Sequence, residues 1–215
     1  MRSAAVILAG GRSSRMAADK LSLEIGGCSL LERAVRAADA VAAPIVVAGA
    51  RPPWWPAIDP TVVFVSEDPP FGGPVAGIAA GLSVLGAETE RVFVLAGDLA
   101  DPAAVVAALT EVEAGDDGVV LEDAQGWPQY LAGLYDAVAL RAALAGLGVA
   151  RDVSVRALMA TLALRRLPAN PLVTRDLDTP DDAKMAGAQL PPMRVDGALP
   201  GRRCGPSASI HDLES

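Results

Sequence analysis

Short, continuously apolar runs alternate along this chain with longer amphipathic segments. The runs predict strands at 4–9, 44–48, 62–65, 91–96, 118–121, 130–134 and 164–167. The amphipathic segments predict helices at 29–42, 74–85, 102–114, 137–147 and 154–161, with a short closing helix after Pro180. Unbroken apolar strands are expected where helices cover both faces of a parallel sheet. Ser29 followed by Glu32 is a capping-box pattern, and Pro102 fits the first turn of a helix. Alternating strands and helices argue for one doubly wound, mostly parallel α/β domain over residues 1–187. Beyond about Gly187, proline and glycine pairs break regular structure, so residues 188–215 read as a disordered tail.

In a doubly wound sheet, ligands gather beyond the carboxyl ends of the strands. The loops after Ala9, Val65 and Ala96 are therefore where chemistry is expected, and all three carry charged residues.

Composition narrows the ligand. The 215 residues are 52% hydrophobic but only 4% aromatic, with a net charge of −8 and a pI near 4.6. Such a surface repels duplex nucleic acid and anionic membranes, and stacking on single strands is not supported. An anionic nucleotide must therefore meet a local basic cluster. Two cysteines, Cys28 and Cys204, and one histidine, His211, argue against a zinc site and a disulfide framework, and fit a reducing cytoplasm. The opening apolar run is too short for a membrane span and reads as a first strand.

That basic cluster follows the first strand. Leu8-Ala9-Gly10-Gly11 leads into Arg12-Ser13-Ser14-Arg15-Met16-Ala17-Ala18-Asp19-Lys20. Glycines let backbone N–H groups approach phosphate oxygens, and the cations neutralise charge. The spacing is neither that of a P-loop nor that of the dinucleotide fingerprint. The segment resembles the L-A-G-G-x-S-x-R-M-x-x-D-K signature of sugar-nucleotide-type nucleotidyltransferases. Within them it is most similar to the molybdenum cofactor guanylyltransferases.

The resemblance covers about residues 4–187. It implies a Rossmann-like fold of the nucleotide-diphospho-sugar transferase type. It also implies a Mg²⁺-dependent transfer of GMP from GTP to molybdopterin, with release of pyrophosphate. Leu8, Ala9 and Gly10 would contact the nucleotide through their backbone, Gly11 would keep the loop open, and Lys20 would reach the phosphates. Arg15 would be a second, forked cation. Asp98, just past an apolar strand, would bind metal and nucleotide, and Asp68 would contact the nucleotide. Asp178 either ligates metal or belongs to a helix start at Thr179-Pro180. Asp98 could instead cap the following helix, although Asp101 is better placed to do so.

Several positions depart from the family pattern. Ala17 stands where glycine is usual, Leu99-Ala100 replace a proline-containing segment, and Asp176 and Asp178 replace asparagines. The asparagine expected after the second strand is missing from Val46-Val47-Ala48-Gly49-Ala50. These changes keep open a cytidylyltransferase using CTP and, in another class, a non-catalytic nucleotide-binding regulator. Residues 129–135 either line the acceptor side or pack in the core. Trp54-Trp55 either cap the sheet or line a pocket edge.

Overall fold

Helices on both faces explain why the central strands read as unbroken apolar runs. The computed structural model describes residues 2–10, 20–55, 62–67, 72–113, 115–148 and 150–170. Among them, one seven-stranded sheet contains β1 (Ser3–Leu8), β4 (Ile45–Ala48), β5 (Val62–Val65), β6 (Arg91–Ala96), β7 (Gly118–Glu122), β8 (Pro128–Asp136) and β9 (Leu164–Pro168). Their spatial order is β5-β4-β1-β6-β8-β7-β9. All pairings are parallel except those of β8, which runs antiparallel to both β6 and β7. The sheet is thus mostly parallel, as expected.

The helices are α1 (Leu30–Asp39), α2 (Pro74–Ser83), α3 (Pro102–Thr110), α4 (Ala137–Leu147) and α5 (Val155–Met159). Ala5 and Ile7 of β1 and Phe93 and Leu95 of β6 pack with Leu31, Val35 and Ala38 of α1 and Val105 and Leu109 of α3. The alternate residues Ala4, Val6, Val92 and Val94 face the other way. They pack with Val75, Ile78 and Leu82 of α2, Leu140 of α4 and Leu158 of α5. This period-two division puts apolar side chains on both faces of one strand and produces two core layers. Among the described residues, no helix is long and apolar enough to cross a membrane.

The capping box forms as the sequence indicates. Glu32 N–H donates to Ser29 Oγ at 3.1 Å, and Ser29 N–H donates to Glu32 Oε2 at 2.8 Å. Four helices stop short of their predicted ends, the one expected over 154–161 at Met159. The helix expected over 29–42 ends at Asp39. The one expected over 102–114 ends at Thr110, whose hydroxyl bonds back to the Val106 and Ala107 carbonyls. The one expected over 74–85 ends at Ser83.

A two-residue hairpin, β2 (Glu24–Ile25) with β3 (Cys28–Ser29), is absent from the sequence reading. Gly26 and Gly27 turn it with φ of 62° and 78°, the left-handed geometry that a two-residue hairpin loop requires. Cys28 in this hairpin is buried. Trp54 and Trp55 pack against the core: Trp55 is buried and meets Phe64 edge-on, centroids 5.4 Å apart. The predicted helix after Pro180 and the expected tail at 188–215 lie outside the described residues.

Candidate active site

Strands β1 and β6 are neighbours in parallel register, Leu8 opposite Ala96. Their carboxyl ends therefore open side by side. The chain leaves β1 through Leu8, Ala9 and Gly10. Ala9 N–H donates to the Ala48 carbonyl at 2.9 Å, and Gly97 N–H donates to the Leu8 carbonyl at 2.9 Å. A side chain at Gly97 would start 2.9 Å from that carbonyl oxygen, so the close approach excludes a Cβ. The three backbone units expected to meet a nucleotide thus stand at the sheet edge between the ends of β4 and β6.

Lys20 and Asp98, far apart in sequence, meet at this edge. Lys20 Nζ donates to Asp98 Oδ2 at 2.7 Å, with side-chain exposures of 22% and 26%. Each arm has a buried anchor. Leu21 is 6% exposed, and its side chain packs where a Gly97 Cβ would sit, which aims the preceding lysine across the strand end. Asp98 follows a fully buried stretch of β6, and Leu99 and Ala100 after it are buried. Asp101, not Asp98, caps α3: its carboxylate accepts the Ala104 N–H at 3.1 Å. Asp98 is thereby released from a capping role.

The loop that presents Asp98 is also held from α1. Arg33 is buried and donates from Nη2 to the Ala100 carbonyl at 3.1 Å. Burial pushes the Arg33 guanidinium below its usual range, and the nearby Asp101 charge opposes that shift. A guanidinium stays protonated in proteins. Arg33→Met keeps most of the side-chain volume but deletes the charge beside buried Asp101. Leaving the Ala100 carbonyl without its buried donor costs about 1–3 kcal/mol. The expected result in a urea titration is a lower midpoint with an unchanged slope, the sign of lost stability without a change in the surface exposed.

The structure adds two charged groups at the rim that the sequence reading passed over. Glu67, just past β5, accepts the Gly72 N–H at 2.6 Å and closes the loop before α2. It obeys the same strand-end rule that singled out Asp98, and that rule would have found it. The loop between α4 and α5 brings Arg151 against Gly72, with Asp152 N–H donating to the Gly72 carbonyl at 2.8 Å. Nothing in sequence spacing signals that contact. Gly11, Arg15, Asp68 and Asp178 lie outside the described residues.

The donor set suits a hard cation. Asp98 offers a carboxylate about a quarter exposed, whose Oδ2 holds Lys20. Among the described residues, no group of three or more His, Cys, Asp or Glu surrounds it. Mg²⁺ takes one or two carboxylates and fills its remaining positions with water and substrate phosphates, and Asp98 could supply one such ligand.

Comparison with known proteins identifies the family. A family model described as the MobA-like NTP transferase domain matches residues 5–167. A molybdenum cofactor guanylyltransferase of Sinorhizobium fredii is 38% identical over 87 residues, a match spanning 38% of this chain and 37% of that protein. Two solved structures share the fold. Molybdopterin-guanine dinucleotide biosynthesis protein A from Archaeoglobus fulgidus has a TM-score of 0.58 at 18% identity, covering 85% of this chain and 96% of the other. A 2-C-methyl-D-erythritol 4-phosphate cytidylyltransferase from Francisella tularensis has a TM-score of 0.65 at 15% identity, covering 87% and 99%. With the family model matching most of its length, the chain belongs to the MobA-like NTP transferase domain family.

Proposed function

We propose that this protein is a Mg²⁺-dependent guanylyltransferase that transfers GMP from GTP to molybdopterin and releases pyrophosphate. The observation that carries the reading is the 2.7 Å contact between Lys20 and Asp98 where β1 and β6 end. The acceptor's phosphate oxygen attacks the α-phosphorus in line. One P–O bond forms to the acceptor, and the bond to the β-phosphate oxygen breaks. Little covalent work falls to the protein, which must align the reactants and neutralise charge.

The backbone of Leu8, Ala9 and Gly10 holds the nucleotide at the sheet edge. Lys20, released from Asp98 as phosphate enters, donates to the triphosphate oxygens. Asp98 would hold Mg²⁺, which when bound supplies charge neutralisation on the departing pyrophosphate. Arg15 and Gly11 complete the phosphate loop in this reading, Asp68 contacts the nucleotide, and Asp178 is a second metal-side carboxylate.

A second reading, transfer from CTP, draws on Ala48. It pairs in register with Leu8 at the end of β4 and is buried, so it offers the base no side-chain amide. A pyrophosphate-release assay over the four nucleoside triphosphates, with and without molybdopterin, separates the readings. Release with GTP and molybdopterin is the expected result. Release with CTP alone replaces guanine by cytosine. Nucleotide binding without release under any condition favours a non-catalytic regulator.

A further inference from the structure

The first turn of α1 is tied to both charged arms of the candidate site. Leu30 N–H donates to the Leu23 carbonyl at 2.9 Å, and Leu23 N–H donates to the Lys20 carbonyl at 3.1 Å. These two bonds lead from the start of the helix back to the lysine. One turn on, Arg33 Nη2 donates at 3.1 Å to the carbonyl of Ala100, two residues past Asp98. Leu30 packs with Ile25 of β2 and with Ala100, and all three are buried. The capping box of Ser29 and Glu32 fixes the backbone of the same turn. One helical turn therefore sets where the cation and the carboxylate stand relative to each other.

Packing alone does not call for an arginine at this position. Arg33 is 9% exposed, and among the described residues its Nε has no hydrogen-bond partner. Burying a guanidinium is costly, and a dry donor adds to the cost. The group supplies a grip on the Ala100 carbonyl that no aliphatic side chain offers, and its planar fork loses little freedom in making it. Asp101 steadies the grip: its charge attracts the guanidinium while its carboxylate caps α3 through Ala104 N–H at 3.1 Å. Asp98 is thus held on both sides, by the buried strand β6 before it and by the Arg33 bond after it.

We propose that Arg33 is a positioning residue for the transfer reaction: through the Ala100 carbonyl it keeps the Asp98 carboxylate in register with Lys20, where the metal and the triphosphate must meet. The proposal rests on the transfer reading above, but its test needs no turnover. Calorimetry on the full chain measures binding of non-hydrolysable GTP and CTP analogues with and without Mg²⁺, well below the melting temperature of each variant. In the wild type, Mg²⁺ should tighten at least one analogue about tenfold or more, because it bridges carboxylate and phosphates. Arg33→Met should remove most of that gain while affinity without Mg²⁺ stays within about twofold, since losing the support behind a metal ligand typically costs about 10- to 100-fold.

Arg33→Lys keeps one donor without the fork and should give an intermediate gain. It carries the test alone if the methionine variant does not fold, an unchanged gain then overturning the role. Leu140→Val in α4 loosens the other core layer, away from both arms, and should leave the gain intact. A full gain in Arg33→Met, equal losses with and without Mg²⁺, or no gain in the wild type would each overturn the role. A lost gain with no pyrophosphate release from any triphosphate leaves the role standing and removes the transfer reading. Release from GTP with an undiminished gain in Arg33→Met does the opposite.

Discussion

Asp98→Asn is expected to lower pyrophosphate release about 100- to 1,000-fold while the protein stays folded. The substitution is nearly isosteric but removes the negative charge that pairs with Lys20 at 2.7 Å and that would hold a divalent cation. Removing one preorganised electrostatic group from a reacting centre typically costs that much in rate. The stability effect should be small by comparison. Both partners are about a quarter exposed, and pairs in contact with water contribute about 0.2–1 kcal/mol. Helix α3 keeps its cap in the variant because the cap is Asp101. Lys20→Met should act on the same step, and the double variant should lose much less than the product of the two single losses, since the pair shares one function. A thermal melt matching wild type beside a collapsed rate is the expected pattern. An active Asp98→Asn enzyme would remove the carboxylate from the mechanism.

A large stability effect is also expected at Gly81. Helix α2 crosses β1 so closely that a Cβ at Gly81 would lie 2.5 Å from Val6 Cγ1 and 2.9 Å from Cγ2. Val6 is fully buried in the middle of β1, and a β-branched side chain has little rotamer freedom to give way. Gly81→Ala must therefore push α2 off the sheet. Overpacking of this kind costs about 1–3 kcal/mol, a fall in Tm of roughly 2–12 °C for a chain of this size. Gly146 in α4 is the matched control: nothing lies within 4 Å of its built Cβ. Gly146→Ala should gain about 0.5–1 kcal/mol from helix propensity alone. The same chemical change thus carries opposite signs at two helical glycines. Calorimetry that gave both the same sign would contradict the packing described for α2.

Because α2 starts beside Glu67 and Gly72, its seating also sets one wall of the site. A loss of packing at Gly81 should therefore reach the sheet edge.

The sequence carried more of the fold than of the site. Residues such as Val6, Ile7, Val94 and Leu95 are buried on both faces, so hydrophobicity alone marks β1 and β6 as interior strands. The antiparallel direction of β8 was not legible, because direction depends on how a connection returns and not on strand composition. The β2–β3 hairpin has two residues per strand, too few for any period to register, although the Gly26-Gly27 pair between Ile25 and Cys28 was a usable turn signal.

At the candidate site, the strand-end rule singled out Asp98, which lies just past β6 beside Lys20. The companion of Lys20 emerged only in three dimensions, since 78 residues separate the two. Arg33 was invisible in the sequence: an arginine in an amphipathic helix reads as a solvated residue, yet this one is buried against the Ala100 carbonyl.

The most direct test is a crystal structure of the protein with Mg²⁺ and a non-hydrolysable GTP analogue. The account predicts triphosphate oxygens within hydrogen-bond reach of Lys20 Nζ, metal on the Asp98 carboxylate, and the nucleotide lying along Leu8–Gly10. A nucleotide bound away from the ends of β1 and β6, with the Lys20–Asp98 contact undisturbed, would contradict it.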